Sequence, residues 1–264
     1  MWTAELGLLF RRRRTVALLG VLALLPVVTG LALRFTGGGS GGPAFLSQVT
    51  NNGVFLAVAG LTVVSQFFLP LTVAIVAGDT VAGDASLGTL RYILARPVGR
   101  TRFLAAKLVA TLCFCVVAAL VVAITGLIVG AILFSVGPVT TLSGFQVSLL
   151  AGVGRSLLAA LVVGMSMFGL AAVGLFISTL TEAPVGAMAA TAGIFIACLI
   201  AEGIPQLNGL QPFLLTNHWT SFADLFRVPV YWGSVLSDLA LQAAWGAVCC
   251  LAAWSRFTTA DVLA

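Results

Sequence analysis

Six long, apolar and almost uncharged stretches limit the possible folds of this chain more than any other feature. A helix needs about 20 consecutive apolar residues to cross a bilayer. The stretches are apolar on all sides rather than along one face, which is typical of membrane-spanning helices and not of amphipathic helices in water. We predict an all-α polytopic membrane protein, one transmembrane domain over residues 1–264, with spans at about 15–35, 54–77, 104–136, 155–180, 183–203 and 233–255.

The composition excludes a water-soluble surface and most catalytic or metal sites. Soluble domains have about a quarter of their residues charged, whereas this chain has 60% hydrophobic and 8% charged residues. The five cysteines all fall in apolar stretches, and His218 is the single histidine, so Cys and His cannot form a metal centre. Asp79 and Asp238 fall near opposite ends of their spans, so they cannot face each other as in an intramembrane aspartyl protease, and Asp79 with Asp84 is too sparse for a metal-dependent lipid-headgroup transferase. We predict neither a metal, a cofactor nor catalytic residues on this chain.

The distribution of lysine and arginine predicts the orientation. Basic residues of membrane proteins concentrate in cytoplasmic loops. With a cytoplasmic N-terminus, ten of the 13 basic residues fall inside and three outside, so we predict that both termini are cytoplasmic. The inner ten are Arg11, Arg12, Arg13, Arg14, Arg91, Arg96, Arg100, Arg102, Lys107 and Arg256, and the outer three are Arg34, Arg155 and Arg227.

The N-terminal residues before the arginines carry apolar side chains at roughly helical spacing. Trp2, Leu6, Leu9 and Phe10 predict a short helix on the inner leaflet, with a disordered tail as the alternative. The first apolar stretch is long and has no Ala-x-Ala-like cleavage site before a polar domain, so we interpret it as an uncleaved span rather than a signal peptide.

The outer segment 202–232 is too apolar for a simple loop, yet glycines and prolines interrupt it. This pattern predicts short helices or a partial re-entry at the outer interface. Acids near it, Glu202, Asp224 and Asp238, equal the three outer arginines in number. We expect these groups to pair with each other, although acids within spans are functional by default and a substrate or proton site is the alternative.

Several residues inside the spans suggest helix irregularity or close packing. Pro26, Gln66 and Pro70 are candidates for kinks that face a pathway, and Gln66 is a candidate substrate contact together with Glu202 and Asp238. The Gly126-x-x-x-Gly130 pattern in the third span predicts close contact with a neighbouring helix.

The connection between the second and third spans, residues 78–103, is the most informative segment. Asp84 is a plausible N-cap, leucines 87, 90 and 94 share one face, and Pro97 ends the helix, while Thr101 can cap the next one. The pattern predicts an amphipathic helix on the inner surface, flanked by basic residues. It serves either as an anchor to anionic lipids or as a coupling helix held by a soluble partner.

This segment resembles the signature of ABC-2 type transporter permeases. In that family an acidic residue is followed by Gly-Thr-Leu, a Leu-x-x-Pro-x-x-Arg run and a lysine. Here Asp84 stands where the family usually has glutamate. The resemblance assigns a coupling role to Asp84, Leu87, Gly88, Thr89, Leu90, Arg91, Leu94, Arg96, Pro97, Arg100 and Lys107.

The resemblance implies the permease subunit of an ATP-binding cassette exporter in a bacterial plasma membrane. The wide outer hydrophobicity and the few polar residues within the spans favour an amphiphilic substrate, such as a drug, lipid or peptide, over an ion. The expected partners are two nucleotide-binding ATPase subunits that carry ATP and Mg²⁺, a second permease subunit, identical or related, and membrane lipid, but no nucleic acid. The chain has no Gly-x-x-x-x-Gly-Lys-Ser/Thr phosphate loop, so ATP hydrolysis must occur elsewhere. A secondary transporter and a non-transporting membrane anchor or sensor are the alternatives.

Overall fold

The computed structural model describes residues 2–36, 52–88, 99–141 and 143–259. It is mostly helical and contains six helices long and apolar enough to cross a membrane, as the sequence predicted. We call them spans 1 to 6: Arg13–Phe35, Phe55–Ser86, Arg100–Leu133, Leu149–Ser178, Pro184–Glu202 and Trp232–Phe257. A multi-pass membrane protein follows from their length and apolar character.

Shorter elements lie between and before the spans. The N-terminal helix runs from Trp2 to Arg11, where the apolar spacing predicted one. A two-stranded antiparallel ribbon, Val139–Thr140 with Gln146–Val147, connects spans 3 and 4. Three 3₁₀ helices follow span 5, where short helices were expected: Pro205–Leu207, Gln211–Phe213 and Ser221–Phe226.

Consecutive spans run in opposite directions, so the bundle has two chemically different ends. One end, called the basic end, carries the N-terminal helix, the C-terminal ends of spans 2 and 6 and the N-terminal end of span 3. Contacts across it join Arg12 to Asp79 and Thr101 to Trp254. The other end, called the opposite end, carries the ribbon and the 3₁₀ helices.

Spans 2 and 4 form the core of the bundle, while spans 1, 5 and 6 leave most of their surface uncovered within one chain. The first half of span 2, Phe55–Val63, packs on span 3, and its second half, Leu69–Ser86, packs on spans 4 and 5. Span 6 packs mainly on Phe168–Ser178 of span 4. The outer faces of spans 1, 5 and 6 suit an apolar solvent.

Span 2 changes its helical hydrogen bonding at mid-length. Residues Val64–Phe68 form a π-helical turn, in which the Leu69 N–H donates to the Val64 carbonyl. Pro70 follows at once and has no N–H to donate to the carbonyl four residues earlier, so a regular α-helix would lose a bond here. The irregularity expected at Gln66 and Pro70 is therefore a π-turn.

The two glycines of span 3 allow a backbone-to-backbone contact with span 2, as their spacing predicted. A Cβ atom on Gly126 would lie 2.6 Å from the Ala57 Cα, and Gly130 meets the backbone of Gly53. Small residues permit such close approach of membrane helices. Pro26 of span 1 also packs on a glycine, Gly60 of span 2.

Some boundaries differ from the sequence prediction. The helix of span 2 continues without a break to Ser86, past the boundary expected near residue 77. Span 3 is helical from Arg100, with Gly99 rather than Thr101 as its N-cap. Span 4 begins at Leu149 and is interrupted at Met167, which separates Leu149–Ser166 from Phe168–Ser178.

Candidate coupling site at the basic end

Asp84 does not begin a helix, in contrast to the N-cap expected from the sequence. It lies in the last turns of span 2 and is buried. The helix ends shortly after it because Gly88 adopts φ +67°, the left-handed conformation that commonly closes helices at glycine. Leu87, at the C-cap, is exposed. The prediction of an amphipathic helix over residues 84–94 is therefore wrong for residues 84–88.

Six residues of the predicted coupling segment lie outside the described residues. These are Thr89, Leu90, Arg91, Leu94, Arg96 and Pro97. Asp84, Leu87 and Gly88 lie on the span 2 side of this gap, and Arg100 and Lys107 lie on the span 3 side. The structure therefore shows how the connection is attached at both of its ends.

Lys107 joins the two ends of the connection through a buried ion pair. Its Nζ lies 2.6 Å from the Asp84 Oδ2 of span 2 and 2.9 Å from the Glu5 Oε2 of the N-terminal helix. The Lys107 and Asp84 side chains are only 8% and 10% exposed. The lysine also lies 5.3 Å from the centre of the Phe103 ring, within range of a cation–π attraction.

Two arginines extend this network to the start of span 1. The Asp79 Oδ2 lies 2.9 Å from Arg12 Nη1 and 2.6 Å from Arg14 Nη2. Arg12 also approaches the Asp84 Oδ1, at 3.9 Å. The ionic cluster, defined as Glu5, Arg12, Arg14, Asp79, Asp84 and Lys107, thus contains three acids and three bases.

The ionic cluster holds four helical segments at a single point. Each charge has an opposite charge nearby, and a small cavity of about 30 Å³ lies among these residues. Removing one partner of a buried ion pair leaves an uncompensated charge. The loss of folding stability is then far larger than the contribution of the intact pair. The arrangement therefore makes the N-terminal helix and spans 1, 2 and 3 dependent on one another.

Further bonds attach the two flanks of the connection to spans 4 and 6. The Ser178 hydroxyl accepts from the Val81 and Ala82 N–H groups and donates to the Gly78 carbonyl. Arg100 Nη1 donates to the Phe257 carbonyl at 3.0 Å, and the Phe257 ring stacks on Phe103. A shift of the connection would therefore act on most of the bundle.

Among the described residues, the three arginines predicted to lie outside pair with only one of the three expected acids. Arg227 Nε lies 2.6 Å from Asp224 Oδ1, as predicted, and Arg155 Nη1 donates to the Arg227 carbonyl. Within the described ranges neither Glu202 nor Asp238 forms an ion pair. The pairing expected for Asp238 is wrong, because its partners are the neutral Ser166 and Gln242.

The three candidate substrate residues do not form one site. Gln66 lies on the π-turn and lines an apolar cavity of about 290 Å³ between span 2 and the 3₁₀ helix Ser221–Phe226. Aromatic side chains, Phe55, Phe222 and Phe226, form much of the cavity wall. Glu202 ends span 5, where its carbonyl accepts from Gln211 Nε2.

Sequence reasoning missed Glu5, Asp79 and the two arginines as members of the ionic cluster. The one available signal was the tandem repeat Val-Ala-Gly-Asp at residues 76–79 and 81–84, which places two acids close together near the end of span 2. The arginines counted only toward the orientation, since their partners are remote in the sequence.

Comparison with known proteins gives a family but no activity. A family described as "Protein of unknown function (DUF2705)" matches residues 27–263. No protein with curated function matches the chain. The matched range contains Asp79, Asp84 and Lys107, whereas Glu5 and the arginines of the ionic cluster precede it.

Proposed function

We propose that this chain, which belongs to the DUF2705 family, is the permease subunit of an ATP-binding cassette exporter in a bacterial plasma membrane. A separate subunit binds and hydrolyses ATP and grips the connection between spans 2 and 3. The observation that carries the proposal is the Asp84–Lys107 ion pair, which joins the first acid and the last lysine of the permease-like signature across that connection.

The attachment of the connection supports a mechanical role. An ATPase subunit that holds residues 89–98 acts on the end of span 2 and the start of span 3. A buried ion pair between Asp84 and Lys107 binds these two helix ends to each other. Packed helices move as bodies rather than deforming smoothly. A displacement at the connection therefore moves spans 2 and 3 together, and Glu5 passes it to the N-terminal helix.

The cavity beside Gln66 supports an amphiphilic substrate. Its wall is mainly apolar and aromatic, with a few polar groups from Thr62, Gln66 and Thr220. Ligand pockets typically combine apolar walls with a small number of polar groups that fix orientation. Because the cavity lies along span 2, motion of that span would change its shape.

The substitution Leu90→Asp tests the proposed docking of an ATPase. We expect the variant to insert and fold. The ATPase subunit should either no longer copurify with it or hydrolyse ATP without driving export, because a carboxylate in an apolar contact is costly. The measurement is ATPase pull-down and substrate export in native membranes. Leu210→Asp, at the opposite end, is the matched control. Wild-type pull-down and export in Leu90→Asp would contradict the proposal.

Cysteine labelling tests the proposed orientation with both termini in the cytoplasm. In a variant lacking the five native cysteines, Gly99→Cys marks the basic end and Gly209→Cys the opposite end. A Cβ at either position meets no atom within 4 Å, so both substitutions are expected to fold. An impermeant thiol reagent applied to intact cells should label position 209 and leave position 99 unlabelled. The reverse pattern would refute the orientation.

A further inference from the structure

Asp238 is an acid buried inside the bundle, far from the ionic cluster. It lies on span 6 and its exposed fraction is 0%. It faces the end of the first half of span 4, at Ser166, where that span is interrupted. An ionised carboxylate in such a place is costly unless a positive charge lies beside it.

The groups around the Asp238 carboxyl are mostly neutral. Its Oδ2 contacts the Ser166 hydroxyl, and its Oδ1 accepts from Gln242 Nε2 at 3.3 Å. Gln242 is held in place because the same nitrogen donates to the Leu215 carbonyl at 2.9 Å. From the outer segment, Ser221 and His218 also act on the carboxyl, and His218 is the ionisable group among these neighbours.

Counting hydrogens shows that a protonated Asp238 fits this arrangement. The Ser166 hydroxyl has one hydrogen, yet its oxygen lies within hydrogen-bond distance of both the Val162 carbonyl and the Asp238 carboxyl. If Ser166 donates to Val162, the hydrogen of the second bond must come from Asp238. A neutral carboxylic acid then donates to Ser166 through Oδ2 and accepts from Gln242 through Oδ1, and each bond has one hydrogen.

We propose that Asp238, Ser166 and Gln242 form a proton-binding site, in which Asp238 holds a proton and donates it in a hydrogen bond to Ser166. The bound proton joins span 6 to the interruption in span 4. Loss of the proton would leave a buried negative charge between the two spans, so protonation and the packing of this contact are linked. The inference does not depend on the proposed export function.

The segment after span 5, residues 203–231, carries several buried polar groups besides those that act on Asp238. His218 is partly exposed, and buried side-chain atoms that find no hydrogen-bond partner among the described residues lie on Thr216, Trp219 and Gln242. Buried polar atoms of this kind are normally satisfied by water.

Infrared spectroscopy of the purified full chain tests the site. At neutral pH the wild type should show the carbonyl band of a protonated carboxyl group, with a small shift in D₂O, and Asp238→Asn should remove that band. Asparagine can donate to Ser166 and accept from Gln242, so its thermal midpoint should stay within about 2 °C of the wild type. The matched control is Asp224→Asn, which should leave the band unchanged because Asp224 pairs with Arg227.

A second variant keeps the test decisive if Asp238→Asn does not fold. Ser166→Ala removes the acceptor of the proposed bond, and the band should persist at a higher frequency because the acid has lost a partner. Folded wild type without a protonated carboxyl band would overturn the proposal. A band that Asp238→Asn leaves intact, or that Ser166→Ala leaves unshifted, would overturn it as well.

Discussion

Gly126→Leu is expected to prevent spans 2 and 3 from packing and to abolish folded protein in the membrane. Even a Cβ at this position would lie 2.6 Å from the Ala57 Cα and 3.0 Å from its nitrogen. Overpacked cores usually lose about 1–3 kcal/mol when side chains can adjust. Here the obstacle is backbone of span 2, which cannot rotate away, so we expect a loss beyond that range.

The measurement is the yield of monodisperse protein after extraction in mild detergent, followed by its thermal midpoint. Gly20→Leu is the control, because a Cβ on Gly20 of span 1 meets no atom within 4 Å. It adds the same apolar side chain to a span without a steric conflict and should extract like the wild type. A Gly126→Leu protein as stable as Gly20→Leu would show that the two spans are not in close contact.

Lys107→Met should destabilise the folded chain by about 3–5 kcal/mol, the usual cost of breaking a buried ion pair on one side. Without the ammonium, the carboxylates of Asp84 and Glu5 lose the group that lies 2.6 and 2.9 Å from them and are left beside each other. Denaturant or thermal unfolding in detergent measures the loss. Adding Glu5→Gln to Lys107→Met should restore part of it, because two acids and two bases then remain and Arg12 still lies 3.9 Å from the Asp84 Oδ1.

Arg227→Ala is the matched control for the ionic cluster. Its partner Asp224 lies at a similar distance, 2.6 Å, but the arginine side chain is 59% exposed. Exposed ion pairs contribute about 0–1 kcal/mol, so this variant should unfold close to the wild type. Equal losses for Arg227→Ala and Lys107→Met would mean that burial does not set the strength of these pairs.

The number of spans could be predicted because it depends on segment length and polarity alone. Each span is long enough that its apolar character does not depend on its neighbours. The contact at Gly126 was also predictable, since glycines four residues apart lie on the same face of a helix. Both properties are local to one stretch of sequence.

The end of span 2 was misplaced because two local preferences compete there. Aspartate favours helix starts, which suggested that a helix begins at Asp84. Gly88 favours the left-handed conformation that ends helices, and the structure follows this second preference. Asp84 is instead accommodated in the helix by Lys107, a partner 23 positions later that no local pattern reveals.

The partners of Asp238 could not be predicted from the sequence for a related reason. Equal numbers of predicted outer acids and bases suggested that all would pair, yet of Glu202, Asp224 and Asp238 only Asp224 has an arginine partner among the described residues. Neutral Ser166 and Gln242 satisfy Asp238 instead, through bonds that depend on where spans 4 and 6 meet. Charge counts cannot distinguish these two solutions.

The π-turn at Val64–Phe68 has a consequence for how span 2 tolerates changes in length. A π-turn contains one residue more than the α-helical turn it replaces, so it rotates the following half by about 100° relative to an uninterrupted helix. The half before the turn faces span 3, and the half after it faces spans 4 and 5. Deleting a single residue between 64 and 68 would therefore give a regular α-helical turn and leave the second half facing spans 4 and 5. The same deletion elsewhere in span 2 would turn every residue beyond it by about 100° and expose side chains that are now buried.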